Sequence, residues 1–151
     1  MLSEEELIEY AKPYLKARGF RKKNKRWTKD IGEFTLCFYL QGSCYSKEAY
    51  YIRPGVFINA LPAPSWMYGH FMTEIPQTTA QEVLSRFEQW CAEWTDKGCV
   101  KQRLEAFLEW EDRNPLENRR MKLVDYDADP VPAREFFSVD RHIRQYILEH
   151  F

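Results

Sequence analysis

Residues 34–41, "FTLCFYLQ", decide the fold because their side chains alternate in character with a period of two. The residues on one side of this extended segment are all bulky and apolar: Phe34, Leu36, Phe38 and Leu40. The residues on the other side are more polar on average: Thr35, Cys37, Tyr39 and Gln41. This alternation predicts a β-strand that turns one face toward an apolar core.

The segments on both sides of this strand extend the same pattern. Upstream, Trp27–Asp30 predicts a strand, and Gly32 in "DIGE" supplies a short turn. Downstream, "YYIRPGVFINA" at 50–60 predicts another strand, in which Pro54 and Gly55 indicate an edge position or a bulge. We therefore expect an antiparallel meander within a sheet of three to five strands.

Helical patterns flank the predicted sheet. Ser3 begins a capping box, and an apolar stripe at helical spacing follows it: Leu7, Ala11, Tyr14 and Leu15. Gly19 provides a stop, so the first helix should cover about residues 4–18. A second helix should begin near Thr79, a third should follow the "DKG" break and end before Pro115, and Ser138 should cap a fourth. About four helices, packed mainly on one face of an antiparallel sheet, define an α+β fold.

The length and charge of the chain limit what it can be. With 151 residues, the chain fits a single domain that spans residues 1–151. Its net charge of −1 provides no general field for DNA, RNA or an anionic membrane. The charge is uneven, however, because residues 1–30 carry nine Lys and Arg against five acids. The sequence therefore predicts a local basic patch on a nearly neutral protein.

The sequence lacks several recognisable signals, and their absence bears on cellular location and on metal binding. No stretch approaches the roughly 20 apolar residues of a membrane span, and the first residues do not resemble a signal peptide, so we expect a cytoplasmic protein. The four cysteines then read as reduced thiols. The Cys and His spacings match no metal site, and "DYDADP" lacks the glycine of a calcium loop, so we predict neither metal nor cofactor.

The sequence gives little indication of an enzyme. It contains no GxSxG, P-loop or GxGxxG motif. Cys99 falls near a helix N-terminus, where a thiol pKa can be lowered, but only His70 is available as its base. We therefore predict no catalytic residue and a non-catalytic protein.

The basic segment "GFRKKNKRWTKD" at 19–30 allows three interpretations. Six cations beside an aromatic ring are typical of a single-stranded nucleic-acid site, of a protected or solvated sheet edge, or of a site for an acidic protein. Strand alternation places Lys25, Trp27 and Lys29 on one face and Arg26 on the other. If Trp27 faces the core, it cannot stack on a base.

Aromatic residues in two connections form a second candidate surface. The segment "SCYSKEAYY" contains Tyr45 and Tyr50, and the long connection at 61–78 contains Trp66 and Tyr68. Tyr and Trp in loops above a sheet are typical of protein-binding patches. The alternative is that the long connection folds over the sheet and its rings close a second small core.

The chain also resembles a bacterial domain family of unknown function. The similarity covers roughly residues 7–60 and rests on a helix, a Gly-Phe-Lys-Lys-like segment at "GFRKKNKRW", and a strand that ends in Gln-x-Ser at "FYLQGS". The segment Arg53-Pro54-Gly55 departs from the Asn-Leu-Gly-like stretch of that pattern. The family supplies no catalytic residues, and its small domains are similar in size and setting to proteins that neutralise bacterial toxins.

These observations together predict a non-catalytic, intracellular protein-binding module that neutralises a bacterial toxin by covering its surface. The alternative is weak binding of single-stranded nucleic acid by the basic segment 21–29. The partner is another protein, with no membrane and no cofactor. The predicted contact residues come from both candidate surfaces: Lys25, Arg26, Trp27, Lys29, Tyr45, Tyr50, Trp66 and Tyr68.

Overall fold

A computed structural model describes residues 2–43, 45–46, 49–63, 69–114 and 141–151. These residues form four helices and one five-stranded antiparallel sheet, which confirms the predicted α+β fold. In chain order the elements are α1 Glu4–Ala17, β1 Arg21–Lys23, β2 Arg26–Asp30, β3 Phe34–Gly42, β4 Tyr50–Ile58, β5 Phe71–Met72, α2 Ala80–Thr95, α3 Lys97–Arg113 and α4, which includes residues 141–150.

The sheet is a meander with strand order β1-β2-β3-β4-β5. Two short strands, β1 and β5, lie outside the strands that alternation predicted. The β1–β2 hairpin turns at Asn24, which adopts φ 59, a left-handed conformation that Asn tolerates better than most residues. The edge position proposed for Pro54 is wrong because β4 lies between β3 and β5, and the Pro54 carbonyl accepts from Thr73 N at 3.0 Å.

An aromatic core fills the space between α2 and the apolar face of the sheet. Trp27 of β2 lies edge-on to Phe38 of β3 with ring centroids 5.8 Å apart. Phe38 in turn lies 4.9 Å from Phe87 of α2. On α1, the predicted helical stripe buries Leu7, Ala11 and Leu15. Buried apolar area of this kind is the main force that holds helices on a sheet.

The chain divides into two compact units, Met1–Thr95 and Asp96–Phe151. In the second unit, Arg144 of α4 donates to Glu111 and Asp112 of α3 at 2.8 and 3.2 Å. The single domain expected for residues 1–151 stays a prediction. Within the described ranges, no helix combines the length and apolar character needed to cross a membrane.

Candidate functional site: a cationic groove between α1 and β1

The end of α1 determines where β1 begins. Gly19 adopts φ 87, which reverses the chain directly after the helix. The amide of Phe20 donates to Leu15 O at 3.0 Å, and the amide of Gly19 donates to Lys16 O at 3.1 Å. These two bonds form a Schellman motif, in which glycine is favoured because it adopts the left-handed region without strain. The motif holds β1 beside the last turns of α1.

A groove of about 610 Å³ runs between these two elements. Its lining residues come from α1, β1 and the floor beneath them: Lys12, Pro13, Lys16, Phe20, Arg21, Lys22 and Trp27. Lys12 and Lys16 are one helical turn apart and therefore lie on the same side of α1. Phe20 and Trp27 are 8% and 2% exposed, so they form the base of the groove and remain part of the core.

The groove is positive and lacks internal neutralisation. Four of its lining residues are cations: Lys12, Lys16, Arg21 and Lys22. No acidic side chain is among the described residues that line it. None of the four cations forms an ion pair with any residue in the described parts of the chain. Like charges placed close together repel, so an anion bound here would gain from all four.

Trp27 is buried, so its ring faces the core and is not available for stacking. Its indole lies in the core beside Phe38, and the ammonium of Lys22 lies 5.1 Å from the centre of its ring. A ring that is 2% exposed offers no face on which a base could stack. We therefore do not include Trp27 among the residues that contact a partner through an exposed face.

The other predicted residues of the basic segment have three different surroundings. Lys25 forms an ion pair with Glu4 of α1. Arg26 pairs in register with Tyr39, on the sheet face opposite Trp27, and its guanidinium carbon lies 4.9 Å from the centre of the Tyr39 ring. Lys29 lines a separate cavity on the helix side of the sheet. The segment therefore does not act as one surface.

The predicted aromatic residues also separate. Tyr45 is 92% exposed, whereas Tyr50 is buried and its hydroxyl donates to Leu2 O at 2.9 Å. Trp66 and Tyr68 lie outside the residues that the structure describes. The predicted contact residues that the structure describes therefore do not form one patch.

The four groove cations were not predicted as a group from the sequence: Lys12, Lys16, Arg21 and Lys22. A signal was present, because Lys12 and Lys16 have i, i+4 spacing and Arg21 and Lys22 begin the basic segment. Pro13 lies inside α1 without ending it and lines the groove between the two lysines. Their proximity to β1 depends on the Schellman turn, which sequence spacing alone does not give.

Cys99 and His70, the thiol and the histidine that were considered for catalysis, both form contacts that support the fold. The carboxylate of Asp96 caps α3 by accepting from Cys99 N at 2.9 Å. Burial and the charge of Asp96 raise the pKa of Cys99, which is the direction opposite to that of an activated thiol. His70 Nδ1 accepts from Ile58 N at 2.9 Å, and its Nε2 lies 3.1 Å from Pro62 O. This arrangement fixes the chain beside β4.

The described residues also bear on the question of metal binding. Among the residues that are described, no three His, Cys, Asp or Glu side chains lie close enough together to hold an ion. The thiols of Cys37 and Cys91 are free, and burial raises the pKa of each to about 12, which makes them poor ligands and poor nucleophiles.

The fold and the groove define an α+β protein with a cationic concave surface. The chain belongs to the family described as domain of unknown function (DUF4304), whose profile matches residues 11–151. This match confirms the expected resemblance to a family of unknown function. Neither a curated protein nor a solved structure matches the chain significantly.

Proposed function

We propose that this protein is a non-catalytic binding module that holds an acidic segment of another protein in the groove between α1 and β1. The observation that carries the proposal is the set of four cations around one groove, none of which is neutralised by a described residue. A cation that is paired within the fold has little to gain from a partner, whereas an unpaired cation at a concave surface has electrostatic energy to gain from one.

The groove suits an acidic peptide better than a nucleic acid. Nucleic-acid sites combine a charged track with exposed rings, and the two rings here, Phe20 and Trp27, are almost fully buried. The net charge of −1 also gives no long-range attraction for a polyanion. An acidic peptide needs only carboxylates for the cations and an apolar side chain for the surface of Pro13.

Binding of this kind would act by occlusion. Charge complementarity increases the rate of encounter, and the covered surface of the partner becomes unavailable to its own substrate. In the toxin-neutralising form of this proposal, the acidic segment belongs to a bacterial toxin. The cations and the apolar surface of the groove support an acidic, partly apolar partner and do not identify it further.

A pair of neighbouring lysines provides a matched test. Lys22 lines the groove, whereas the neighbouring Lys23, which pairs in register with Arg26 of β2, does not line it. The probe is a fluorescent peptide of Glu-Glu-Leu repeats, titrated at low and at physiological salt. We expect Lys22→Glu to weaken binding about tenfold and Lys23→Glu less than about twofold, because charge reversal acts most strongly at short range.

Oligothymidylate of the same length is the competing probe. If it binds more tightly than the acidic peptide and Lys22→Glu abolishes that binding, the nucleic-acid alternative replaces this proposal. Absence of peptide binding to the wild type, or equal loss in the Lys22 and Lys23 variants, would contradict the groove as the site. Circular dichroism of both variants checks that each remains folded.

A further inference from the structure

A second cavity, of about 240 Å³, lies on the other side of Phe20 and belongs to no function described above. It is formed by the end of α1, the strands β2 and β3, and one face of α2. Its walls are mainly apolar: Leu15, Phe20, Ile31, Leu36, Phe87 and Ala92. Its polar lining residues are Tyr14, Arg18, Lys29, Glu88, Cys91 and Thr95.

The size of this cavity fits a small ligand. An apolar cavity of about 150 Å³ is sufficient to bind benzene, so one of 240 Å³ has room for a ligand of roughly ten non-hydrogen atoms. The apolar walls favour an alkyl or aryl body because burial of such a body removes it from water.

Three residues at the rim of the cavity, Tyr14, Arg18 and Glu88, are partners of one another. The Tyr14 hydroxyl donates a hydrogen bond to Glu88 Oε2. Arg18 Nε lies 3.6 Å from Glu88 Oε1, and the guanidinium carbon lies 3.5 Å from the centre of the Tyr14 ring. The hydrogen bond from Tyr14 lowers the pKa of Glu88, so this carboxylate is ionised and already has its partners.

Lys29 differs from Arg18 because its charge has no such partner. It is partly buried and forms no ion pair with any described residue. Its ammonium lies 6.0 Å from the centre of the Phe20 ring and is close enough to affect Cys91 electrostatically. A partly desolvated ammonium beside an apolar cavity provides a specific site for one negative charge.

We propose that this cavity binds a small monocarboxylate with an apolar body, whose carboxylate pairs with Lys29 and whose body lies between Leu36 and Phe87. One unpaired cation matches one negative charge. A phosphate or dicarboxylate would carry additional charge toward Glu88 and would be repelled. Cys91 lines the cavity as a neutral thiol, so the site binds its ligand without reacting with it.

The test compares octanoate with 1-octanol, which have the same alkyl chain but differ in charge. Calorimetry and amide chemical shifts measure binding to the full chain. We expect octanoate to bind more tightly than 1-octanol and to shift the amides of residues that line the cavity. Lys29→Met should weaken octanoate binding about tenfold and leave 1-octanol binding nearly unchanged, because it removes the charge and keeps most of the aliphatic stem.

Two further variants distinguish this site from the groove. Ala92→Phe places a large side chain in the cavity wall from an exposed position of α2 and should abolish binding of both ligands. Lys22→Met should change octanoate binding less than about twofold at physiological salt, because Lys22 lines only the groove.

The proposal is overturned if 1-octanol binds as tightly as octanoate, if Lys29→Met has no effect, or if neither ligand binds. It does not rest on peptide binding in the groove. If the wild type binds octanoate but not the Glu-Glu-Leu peptide, the proposal for the groove is wrong and the proposal for the cavity stands. If it binds the peptide but not octanoate, the reverse holds.

Discussion

Phe20 separates two concave sites that have opposite electrostatic arrangements. On one side lies the groove between α1 and β1, with Lys12, Lys16, Arg21 and Lys22. On the other side lies the smaller cavity, where Tyr14, Arg18 and Glu88 are connected to one another. Both sites use the same helix and the same ring, so the difference lies in how the charges are paired.

The comparison distinguishes charges that hold the fold from charges that can hold a partner. Glu88 is satisfied by two neighbours within its own unit, so a ligand has little to gain from it. The groove cations have no described acid to pair with, and Lys29 in the cavity is in the same position. We therefore propose that the unpaired cations bind partners and that the connected rim residues support the fold.

Phe20→Ala should produce the largest effect because the ring forms a wall of both sites. Phe20 is 8% exposed and lies 5.6 Å from Phe87 between ring centroids. Removal of a buried aromatic ring costs about 3–5 kcal/mol in the free energy of unfolding. Urea unfolding measures this loss, and both the peptide and octanoate should bind more weakly.

Phe20→Leu is the control because it retains most of the buried apolar volume. Its expected cost is below about 1.5 kcal/mol. If Phe20→Ala were as stable as the wild type, or weakened the binding of only one of the two ligands, the Phe20 ring would not be a wall of both sites.

The elements with strong periodicity were predicted well from the sequence. The alternation at 34–41 gave β3, and the capping box with its apolar stripe gave α1, where Ser3 caps the helix by accepting from Glu6 N at 3.1 Å. The strands β1 and β5 were missed because segments of three and two residues are too short to show a period. They exist because neighbouring strands supply their hydrogen-bond partners.

The site was less predictable because it depends on contacts between elements. From local charge and strand alternation, the sequence identified Lys25, Arg26 and Lys29 and placed Arg26 on the face opposite the other two, but it did not indicate the groove. The groove joins Lys12 and Lys16 of α1 to Arg21 and Lys22 of β1. Their proximity follows from the reversal at Gly19, and no spacing rule predicts which side of β1 then faces the helix.

Gly19→Ala should have an intermediate effect because it tests this reversal alone. A Cβ at Gly19 would lie 3.6 Å from Lys29 Cε, which is ordinary contact, so the cost comes from the backbone at φ 87. A non-glycine residue in the left-handed region costs roughly 1–2 kcal/mol. We expect that loss in urea unfolding, together with weaker peptide binding as β1 shifts relative to α1.

Gly42→Ala is the matched control because a Cβ there meets nothing within 4 Å and the backbone is not left-handed. Its expected change lies within about 0.5 kcal/mol of zero. An equal loss in both variants would mean that the left-handed conformation at Gly19 does not determine the position of β1.

Tyr14→Phe should have the smallest effect and should depend on pH. The hydrogen bond to Glu88 is exposed, so its loss near pH 7 should cost only about 0.5 kcal/mol. Burial, followed by the hydrogen bond and charge of Glu88, raises the pKa of Tyr14 from 10.0 to about 12. The folded state therefore retains the phenolic proton in a pH range where the unfolded state has already lost it.

The sign of the pH dependence follows from proton binding. Between pH 10 and about 12 the unfolded chain binds fewer protons at Tyr14 than the folded chain, so the wild type should lose stability as the pH rises. Tyr14→Phe lacks this titration, and its stability should fall less over the same range. Urea unfolding near pH 7 and at about pH 11 measures the difference between the two proteins. A difference that does not change with pH would mean that Tyr14 and Glu88 are not connected, and Glu88 would then be held at the rim by Arg18 alone.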